Sequence, residues 1–495
     1  MAVFLFLLVW LHHLGTPSIW FDEAFSYWTS SETPGKILEV IKGEPHPPFY
    51  FFFLHFWLKL GSSEFLMRLP SVFFGFLTLT GLYLLAAYLF DRRAALISSF
   101  LYSLNFMAFY SGTEARMYAP FSAFVILSFY FFARLLKEGK KTDAIGYTFF
   151  ITLSLYTHYF GFFVLLSQAI AFIAAGLPRK RIIAVSWLCS IMLFSPWLFF
   201  MMGQARGGIG SLMPSPNIHV LGNTLKIFSG LGAFIGNGYP GILVLRAAEL
   251  VFLFLLGAGF YFMLIKGDKG NFYLLSTYVL IPLVLSFGIA VFTHLHIYSE
   301  RYLFFLSPAL CIIIGSGVSL MAAGKEKIPA ILAVSAFFIF NGISFYNYNT
   351  DPIFWRQDWR SCAMYIEKSS QPGDAILFNP PYCQLPFNFY YKGRAAKIQF
   401  TEKKVFKIDY KHDYFKDGGL EQFGLTGIDE AFLKKIAGNN KRIWFITSQS
   451  FLYDPEKKIG KWLVENGEVI IRKSVKFETS EATGDIYVWL VKMKR

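Results

Sequence analysis

Apolar segments of membrane-spanning length recur along the first 346 residues and constrain the fold more than any other feature of this chain. A spanning helix needs ~20 mostly apolar residues. The predicted spans cover residues 2–20, 66–89, 94–112, 118–136, 143–158, 160–177, 182–202, 241–265, 272–293, 302–322 and 328–346. Charged residues make up only 16% of the chain, against about 25% in soluble domains. The sequence therefore predicts an α-helical polytopic membrane protein with about 11 spans.

The short turns between these segments alternate in charge. One set contains nearly all the basic residues: Arg92, Arg93, Arg134, Lys137, Lys140, Lys141, Arg179, Lys180, Arg181, Lys266, Lys269, Lys325 and Lys327. Positive residues favour the cytoplasmic side. We therefore expect a multi-pass inner-membrane protein with its N-terminus inside and residues 21–65 and 347–495 outside. Because the basic residues of the body lie in these turns, no nucleic-acid partner is expected. The first span lacks a small-residue cleavage site, which argues against a removed signal peptide.

The first outer segment, residues 21–65, contains an ambiguous apolar stretch. Residues 46–60, HPPFYFFFLHFWLKL, are apolar enough to form a span, but counting them as one would place the Arg92 turn outside. We therefore predict an interfacial helix on the outer leaflet. Before it, Thr33-Pro34 predicts the start of a short amphipathic helix that ends near Lys42.

The last 149 residues have a soluble pattern, and we predict two domains, 1–346 in the membrane and 347–495 outside it. Residues 347–495 contain 24 of the 46 basic and 18 of the 32 acidic residues. The predicted strands are 374–378, 442–447, 468–472 and 485–491, with helices around 358–369 and 428–437. This pattern predicts a small extracytoplasmic α/β domain. A disulfide between its Cys362 and Cys383 is a hypothesis, because such a compartment permits disulfides.

Adjacent carboxylates follow the first span within WFDEAFSYW. Two interpretations of Asp22-Glu23 remain open. Acidic residues suit the first turn of a helix. Alternatively, a partly desolvated carboxylate at the lipid–water boundary acquires a raised pKa that suits a general base.

Other outer turns also contain polar side chains. These are His46 before Pro47-Pro48; Glu114, Arg116 and Tyr118; His158; and Tyr298 and Arg301. Taken singly, an interfacial His or Tyr is typical of an anchor or a packing residue. Together, carboxylates, imidazoles and arginines suit the binding of a phosphate and the deprotonation of a hydroxyl. No Walker A, HExxH or paired CxxC motif occurs. No cofactor is specified, and a divalent metal bridging carboxylates and phosphate stays open.

An ordered set of segments resembles the membrane glycosyltransferases of the GT-C superfamily. The segments are WFDEAFSYW, HPPFYFFFLHFWLKLG, EFLMRLPSVFFGFLTLTGLYLLAAYLFDRRAALISS, SGTEARMYAPF, THYFGFF and ERYLFF. The nearest groups are the protein O-mannosyltransferase-like enzymes and the lipid A aminoarabinose transferases. The resemblance implies a polyprenyl-phosphate-linked sugar donor, an acceptor hydroxyl on a lipid, protein or glycan, and inversion at the anomeric centre on the outer face.

The resemblance also implies roles for individual residues. Asp22 aligns with the family's first-loop acid and is the candidate general base, with Glu23 orienting it or binding the acceptor. Arg301 is the candidate phosphate clamp, because a fixed cation stabilises the leaving group's charge. His46 stands where the aminoarabinose-transferase branch often has Lys. Glu114, together with Arg116, precedes the position of that branch's Asp-Pro, where this chain has Tyr118-Ala119-Pro120.

Three other functions remain as alternatives. A transporter or flippase of lipid-linked sugars would favour intramembrane charges and two repeated halves with broken helices. The only mid-span pair found is Arg246 with Glu249, and no repeat is evident. The other two are an O-antigen-type ligase or polymerase, and a non-catalytic envelope assembly protein that works through its C-terminal region.

Overall fold

The computed structural model describes most of the chain. The described residues are 1–12, 14–43, 45–176, 180–206, 218–234, 238–293, 297–351, 354–392, 397–398, 430–448, 457–475 and 486–494.

Among the described residues, sixteen α-helices lie between residues 2 and 350. They are α1 (Ala2–Leu11), α2 (Phe21–Ser31), α3 (Pro34–Ile41), α4 (Phe49–Trp57), α5 (Glu64–Leu89), α6 (Arg92–Ser103), α7 (Phe106–Gly112), α8 (Tyr118–Lys137), α9 (Lys141–Thr157), α10 (Gly161–Ala174), α11 (Lys180–Arg206), α12 (Ile218–Phe228), α13 (Gly238–Lys266), α14 (Lys269–Phe292), α15 (Ser307–Ala323) and α16 (Lys327–Thr350). Among the described residues, seven helical segments are long and apolar enough to cross a membrane. They are Glu64–Leu89, Tyr118–Lys137, Lys180–Gln204, Gly241–Lys266, Lys269–Phe292, Phe304–Ala323 and Lys327–Thr350.

These helices confirm a polytopic membrane fold, but fewer segments reach spanning length than the eleven predicted. The segment predicted at 94–112 is the pair α6 and α7, bent by 59°, which makes an eighth span if the two are counted together. The segment predicted at 2–20 is helical only over Ala2–Leu11, because Gly15 and Pro17 follow in a turn. The segments predicted at 143–158 and 160–177 form α9 and α10, of 17 and 14 residues. His158 divides them because its backbone is extended.

Close packing around Trp10 fixes α1 against the bundle. Its indole is fully buried and lies between Gly75 of α5 and Gly112 of α7. A Cβ at either glycine would come within 2.5 Å of the indole ring. The missing side chains therefore make room for the tryptophan, and α1 delivers the following segment to the ends of α5 and α7.

The first outer segment folds largely as predicted. α3 begins with Pro34 in its first turn after Thr33 and ends at Ile41. α4 and a 3₁₀ turn, Leu58–Leu60, occupy the ambiguous apolar stretch. Tyr50, Phe51 and Leu54 of α4 are fully buried. The placement of α4 at the membrane surface stays a prediction.

The C-terminal region contains a five-stranded sheet with helices on both faces. Its strands are β1 (Ala375–Asn379), β2 (Lys397–Ile398), β3 (Arg442–Ser448), β4 (Gly467–Val475) and β5 (Ile486–Met493), in the order β2-β1-β3-β5-β4. Strands β2, β1 and β3 are parallel, whereas β5 is antiparallel to β3 and β4. The helices are α17 (Trp359–Ser369), α18 (Gln384–Tyr390), α19 (Glu430–Asn439) and α20 (Lys458–Asn466). The four predicted strands and both predicted helices are present.

Alternating side chains bind the two helix layers to this sheet. Trp444 of β3 packs in a core with Trp359 and Ile366 of α17. The next residue, Phe445, packs on the opposite face in a core with Leu433 of α19 and Trp462 of α20. This alternation is what a strand buried on both faces requires. The domain boundary at residue 346 stays a prediction, and α16 continues to Thr350.

The hypothesis of a Cys362–Cys383 disulfide is wrong for this structure, because both thiols are free. Each is buried in the core between α17, α18 and the sheet. Burial raises the pKa of both thiols above the usual range, so they are packed as small apolar groups.

The C-terminal region docks on the chain around α2. Trp28 Nε1 of α2 donates to the carbonyl of Leu385 at 3.0 Å, and the Ile19 amide donates to the Tyr390 hydroxyl at 2.8 Å. Arg360 of α17 donates to Glu64 at 2.6 Å. These contacts join the C-terminal region to the residues at both ends of α2 and to the first turn of α5.

Candidate active site

The first turn of α2 carries both acids of the WFDEAFSYW segment. Trp20 precedes the helix with an extended backbone, and Asp22 and Glu23 occupy the first turn, where acidic side chains favour the helix dipole. Consecutive helical residues point about 100° apart. The two side chains therefore enter different surroundings: Asp22 keeps 21% of its side chain exposed, and Glu23 keeps 1%.

Glu23 forms a closed ion pair with Arg68 of α5. Arg68 Nε donates to Glu23 Oε1 at 2.7 Å, and Nη2 donates to Oε2 at 2.6 Å. The Ala115 amide adds a third bond to Oε1 at 2.9 Å. Arg68 also donates to the carbonyls of Leu14 and Pro17. Both carboxylate oxygens of Glu23 are thus used in joining α2, α5 and the turn before α8. A role for Glu23 in orienting Asp22 or in binding the acceptor stays a prediction.

Asp22 lies against two arginines from distant turns. Its Oδ2 accepts from Arg301 Nη1 at 3.1 Å and lies 4.0 Å from Arg116 Nε. Arg116 also donates to the Asp22 carbonyl at 3.3 Å and to Ser26 Oγ at 3.2 Å. The structure therefore brings together three of the predicted site residues, Asp22, Arg116 and Arg301, and we call them the Asp22 cluster.

Aromatic and imidazole rings line the neighbouring interior. The rings of His158 and Tyr302 are 5.1 Å apart, and those of Tyr118 and Tyr302 are 6.1 Å apart. His46 lies 5.9 Å from His158 and 6.4 Å from Tyr302. The Phe160 amide donates to His158 Nδ1 at 3.1 Å, so a neutral His158 carries its hydrogen on Nε2. The rings of three further predicted residues, His46, Tyr118 and His158, thus pack around Tyr302.

Burial lowers the pKa of His46 well below its usual range, and the charges of Arg116, His158 and Arg301 lower it further. The imidazole is therefore neutral near pH 7. A neutral imidazole beside two guanidinium groups provides polar contacts without increasing the positive charge.

Glu114 pairs with an arginine from beyond the last membrane helix. Arg356 Nη2 donates to Glu114 Oε1 at 2.6 Å. The same guanidinium lies 4.4 Å from the ring centre of Trp20 and 5.0 Å from that of Tyr110. Arg301 approaches the Trp20 ring at 4.9 Å. Trp20 therefore contacts both the Glu114–Arg356 pair and the Asp22 cluster.

A family model and two solved structures resemble this chain. A model described as dolichyl-phosphate-mannose-protein mannosyltransferase matches residues 45–200. The structure of ArnT from Cupriavidus metallidurans bound to undecaprenyl phosphate is 11% identical, with a TM-score of 0.58, and the match covers 99% of this chain and 97% of ArnT. That of the oligosaccharyltransferase AglB from Archaeoglobus fulgidus, with an inhibitory peptide and a dolichol-phosphate, is 10% identical, with a TM-score of 0.54, covering 94% and 72%. No curated protein matches by sequence.

The chain has the GT-C fold. This is the fold that the resemblance of the sequence segments implied, and it agrees with a multi-pass membrane protein. At 10–11% identity the structural likeness establishes the fold alone.

Within this GT-C fold, the structure does not bring Tyr298 into the Asp22 cluster. Its hydroxyl forms a hydrogen bond of 2.7 Å with Thr224, and its ring packs 5.5 Å from Phe287. It serves to join α12 to α14.

Side chains of metal-ligating type are dispersed in the described part of the chain. No group of three or more His, Cys, Asp or Glu side chains there is placed to hold a metal ion. The physical reason is visible in the pairing of the acids, since Asp22, Glu23 and Glu114 each face a different arginine. Guanidinium groups thus occupy the positions next to these carboxylates.

Sequence reasoning missed Arg68, Arg356 and Trp20. Arg68 lies within the predicted span 66–89, and a cation there could have been matched to an outer acid. Arg356 follows the last span in a stretch without helical or strand periodicity, so its pairing with Glu114 across 242 residues had no local signal.

Proposed function

We propose that this protein is a membrane glycosyltransferase that moves a sugar from a polyprenyl-phosphate carrier to an acceptor hydroxyl. The observation that carries the proposal is the Asp22 cluster, a partly exposed carboxylate beside two guanidinium groups. The match to a mannosyltransferase family model and the likeness to ArnT, which was solved with undecaprenyl phosphate, support it.

In the proposed reaction, Asp22 accepts the proton of the acceptor hydroxyl. The acceptor oxygen attacks the anomeric carbon of the donor, and the bond from that carbon to the phosphate oxygen breaks. The electron pair leaves with polyprenyl phosphate, and attack opposite the leaving group inverts the anomeric centre. A positioned base of this kind contributes about 10²–10⁴-fold to the rate.

Arg301 is the residue we assign to the leaving phosphate. A guanidinium has five N–H donors, and in this structure one nitrogen, Nη1, contacts Asp22. Arg301 can therefore bind a phosphate through its other N–H groups while it stays beside the carboxylate. Charge-assisted and bidentate bonds of this kind favour Arg at phosphate sites.

Arg116 is a positioning residue in this proposal. It is 5% exposed and bonds to the Asp22 carbonyl and to Ser26. Those two bonds fix the first turn of α2, so the Asp22 carboxylate has a defined position relative to Arg301.

We also propose that the site faces the outer side of the membrane. The basic turns mark the opposite side as cytoplasmic, and a carrier lipid keeps its phosphate at headgroup depth. Labelling of a cysteine introduced at Glu32, the half-buried residue that follows α2, with a membrane-impermeant reagent tests this orientation. Labelling only after the membrane is opened contradicts it.

The test of the reaction is the variant Asp22→Asn. Purified protein in lipid nanodiscs is incubated with a panel of polyprenyl-phosphate sugars and a panel of hydroxyl acceptors (a glycan, a lipid and a peptide), and release of polyprenyl phosphate is measured. We expect a loss of about 10²–10⁴-fold with normal membrane insertion. The matched control is Glu32→Gln, whose carboxylate pairs with Lys36 at the exposed end of α2, and it should keep full activity. Wild-type turnover in Asp22→Asn refutes the assignment.

The same assay separates a transferase from a transporter or flippase. A transporter moves a lipid-linked sugar between leaflets and leaves the sugar–phosphate bond intact. Donor cleavage by the purified wild type, lost in Asp22→Asn, supports transfer, whereas leaflet exchange without cleavage supports the alternative.

A further inference from the structure

Trp20 lies against two arginines that reach it from distant parts of the chain. The guanidinium carbon of Arg356 is 4.4 Å from the centre of the indole ring, and that of Arg301 is 4.9 Å from it. The tryptophan is only 9% exposed. Contacts between a cation and an aromatic ring are strongest with Trp and become stronger when water is excluded. One indole ring therefore contributes to the surroundings of both guanidinium groups.

The position of the indole is set by contacts outside the Asp22 cluster. Trp20 directly precedes α2, and its carbonyl accepts the bond from the Ala24 amide at 2.9 Å that begins the helix. Arg356, which contacts the ring, is itself held by the bond of 2.6 Å to Glu114. The ring therefore has its place whether or not the Asp22 carboxylate is charged.

Arg301 is restrained by fewer contacts. Among the described residues, its guanidinium makes one hydrogen bond, from Nη1 to Asp22 at 3.1 Å, and one ring contact, with Trp20. Its side chain is 27% exposed. Arginine side chains have many rotamers, so these two contacts decide where the guanidinium points. One of them depends on the charge of Asp22, and the other does not.

The proposed reaction removes the contact that depends on charge. When Asp22 takes the proton of the acceptor hydroxyl, its carboxylate becomes a neutral acid and its attraction for Arg301 falls. In the same step the electron pair of the breaking bond moves onto the phosphate oxygen of the leaving group. Arg301 has to stay in place at that moment in order to stabilise the developing charge. Trp20 is the contact that persists through the proton transfer.

We propose that Trp20 is a positioning residue that keeps Arg301 directed at the leaving phosphate once Asp22 is protonated. This inference rests on the proposed transferase function and deepens it, because it assigns a residue to the step in which the charge of the leaving group develops. The restraint by the indole is secondary while Asp22 is ionised, since the carboxylate also holds Arg301. It becomes the main restraint when Asp22 is neutral.

Binding of undecaprenyl phosphate to the full-length protein in nanodiscs tests this without turnover. The variant Asp22→Asn represents the protonated acid, because its side chain is uncharged and of similar size. Bound lipid is measured by native mass spectrometry with and without the additional change Trp20→Leu. We expect Trp20→Leu to weaken binding about tenfold in the Asp22→Asn protein, the size of a desolvated cation–π contact, and less than about threefold when Asp22 is present.

A dependence on the charge of Asp22 is what separates positioning from a general structural effect. Damage to the fold by Trp20→Leu would weaken binding equally in both backgrounds, so equal losses overturn the proposal. An unchanged affinity in the Asp22→Asn background overturns it as well, as does a wild-type protein that binds no undecaprenyl phosphate.

Trp20→Phe is the conservative variant. It keeps an aromatic face for the guanidinium groups and fills more of the space of the indole than leucine does. In the Asp22→Asn background it should recover most of the affinity that Trp20→Leu loses. Binding by Trp20→Phe as weak as that by Trp20→Leu contradicts a role for the aromatic ring.

A second arginine–tryptophan contact supplies the matched control. Arg472 lies 4.4 Å from the ring centre of Trp489 on β5, in the C-terminal sheet. Trp489→Leu removes a contact of the same type and distance, and it should leave the binding of undecaprenyl phosphate unchanged in both backgrounds. A loss like that of Trp20→Leu would show that the effect is not local, and it too overturns the proposal.

Donor cleavage in the same preparations separates this inference from the proposed function. In the transfer assay, Trp20→Leu should lower kcat about tenfold and change the donor KM by less than about threefold. If the wild type cleaves no donor but the binding loss still depends on the charge of Asp22, the proposed function fails and the positioning role stands. If Asp22→Asn abolishes cleavage while Trp20→Leu binds and cleaves like the wild type, the transferase stands and the positioning role fails.

Discussion

Two neighbouring clusters, built from adjacent residues of α2, differ in how completely their charges are paired. Around Glu23, a bidentate bond to Arg68 and a backbone amide satisfy the carboxylate, and the side chain is 1% exposed. Around Asp22, the contacts to Arg301 and Arg116 are longer, 3.1 and 4.0 Å, and the side chain is 21% exposed. Glu23 with Arg68 forms a closed cluster, whose paired charges stabilise the fold. The Asp22 cluster is the open cluster, because its carboxylate stays accessible to a substrate.

Adjacent acidic residues can acquire different surroundings because consecutive residues of a helix point in directions about 100° apart. Glu23 turns toward α5 and the turn before α8, and there it holds the helix. Asp22 turns toward Arg301, which lies between α14 and α15. Because the closed cluster anchors α2, the open one needs no further bonds to keep its position.

The largest expected effect is the loss of folding stability in the variant Glu23→Gln. Glu23→Gln leaves Arg68 buried without its counter-charge, and removing one partner of a buried pair costs about 3–5 kcal/mol. We expect a correspondingly lower unfolding midpoint for Glu23→Gln in nanodiscs. Asp22→Asn should destabilise the protein less than Glu23→Gln does, because the Asp22 side chain keeps 21% of its surface exposed and its contacts to Arg301 and Arg116 are longer. Equal destabilisation by the two variants would contradict the difference in charge pairing between the Glu23–Arg68 pair and the Asp22 cluster.

The next effect is on activity and concerns the open cluster. Arg301→Met removes the proposed donor to the leaving phosphate, and loss of one such group costs about 10²–10³-fold in kcat. Release of polyprenyl phosphate measures the loss, and the unfolding midpoint should stay near the wild-type value. Arg301→Lys should recover part of the rate, because it restores the charge without the planar fork. A fall in stability with unchanged kcat would make Arg301 structural.

A smaller effect is expected where the C-terminal region supports the closed cluster. Arg360 pairs with Glu64 and donates to the carbonyls of Gly15 and Thr16. Hydrogen bonds of charged groups contribute about 1.5–3 kcal/mol when well formed, and the partial exposure of Arg360 reduces this. We expect Arg360→Ala to lower stability by about 1–2 kcal/mol and to lower kcat more than it raises the donor KM, because the start of α2 loses a support.

Lys434→Ala is the control for Arg360→Ala. Lys434 pairs with Glu430 on the surface of α19, where both side chains are more than 60% exposed. Such a pair contributes about 0–1 kcal/mol. A kcat loss in Lys434→Ala equal to that in Arg360→Ala would contradict a specific role for the docking contact.

Much of the fold was predictable from local pattern. Four of the described strands follow from short runs rich in apolar and β-branched residues, and α3 follows from Pro34 in a first turn. The membrane helices were predictable from hydropathy, but the number of helices that reach spanning length was not. Hydropathy does not register a break in the helix, such as Gly15–Pro17, when the surrounding residues are apolar. The extended His158 between α9 and α10 is a second break of this kind.

The candidate site was predictable only where its residues lie in the turns that the charge pattern predicts to be outside. Asp22, Arg116 and Arg301 share that location, so charge pattern found them. Arg68 and Arg356 were missed because their partners are 45 and 242 residues away. Which acid faces which arginine depends on helix rotation and on the docking of the C-terminal region, and neither has a local signature.

The last prediction concerns pH and the His46 side of the open cluster. The pKa of His46 is lowered in the folded protein by burial and by Arg116, His158 and Arg301, whereas in the unfolded chain it is near 6.5. Below about pH 6.5 the unfolded chain therefore takes up a proton on His46 that the folded protein does not. The free energy of unfolding has its full value above that pH and decreases as the pH falls below it. One such group costs about 1.4 kcal/mol per pH unit.

His46→Gln measures this contribution directly. Unfolding midpoints between pH 7.5 and pH 5 should fall less steeply in the variant than in the wild type, by about one proton's worth of slope. His158 stays in place, so any remaining steepness belongs to other groups. An identical slope in both proteins would mean that the interior beside Asp22 does not hold His46 neutral. The open cluster would then be more hydrated than its burial indicates, and its contrast with the Glu23 cluster would be sharper still.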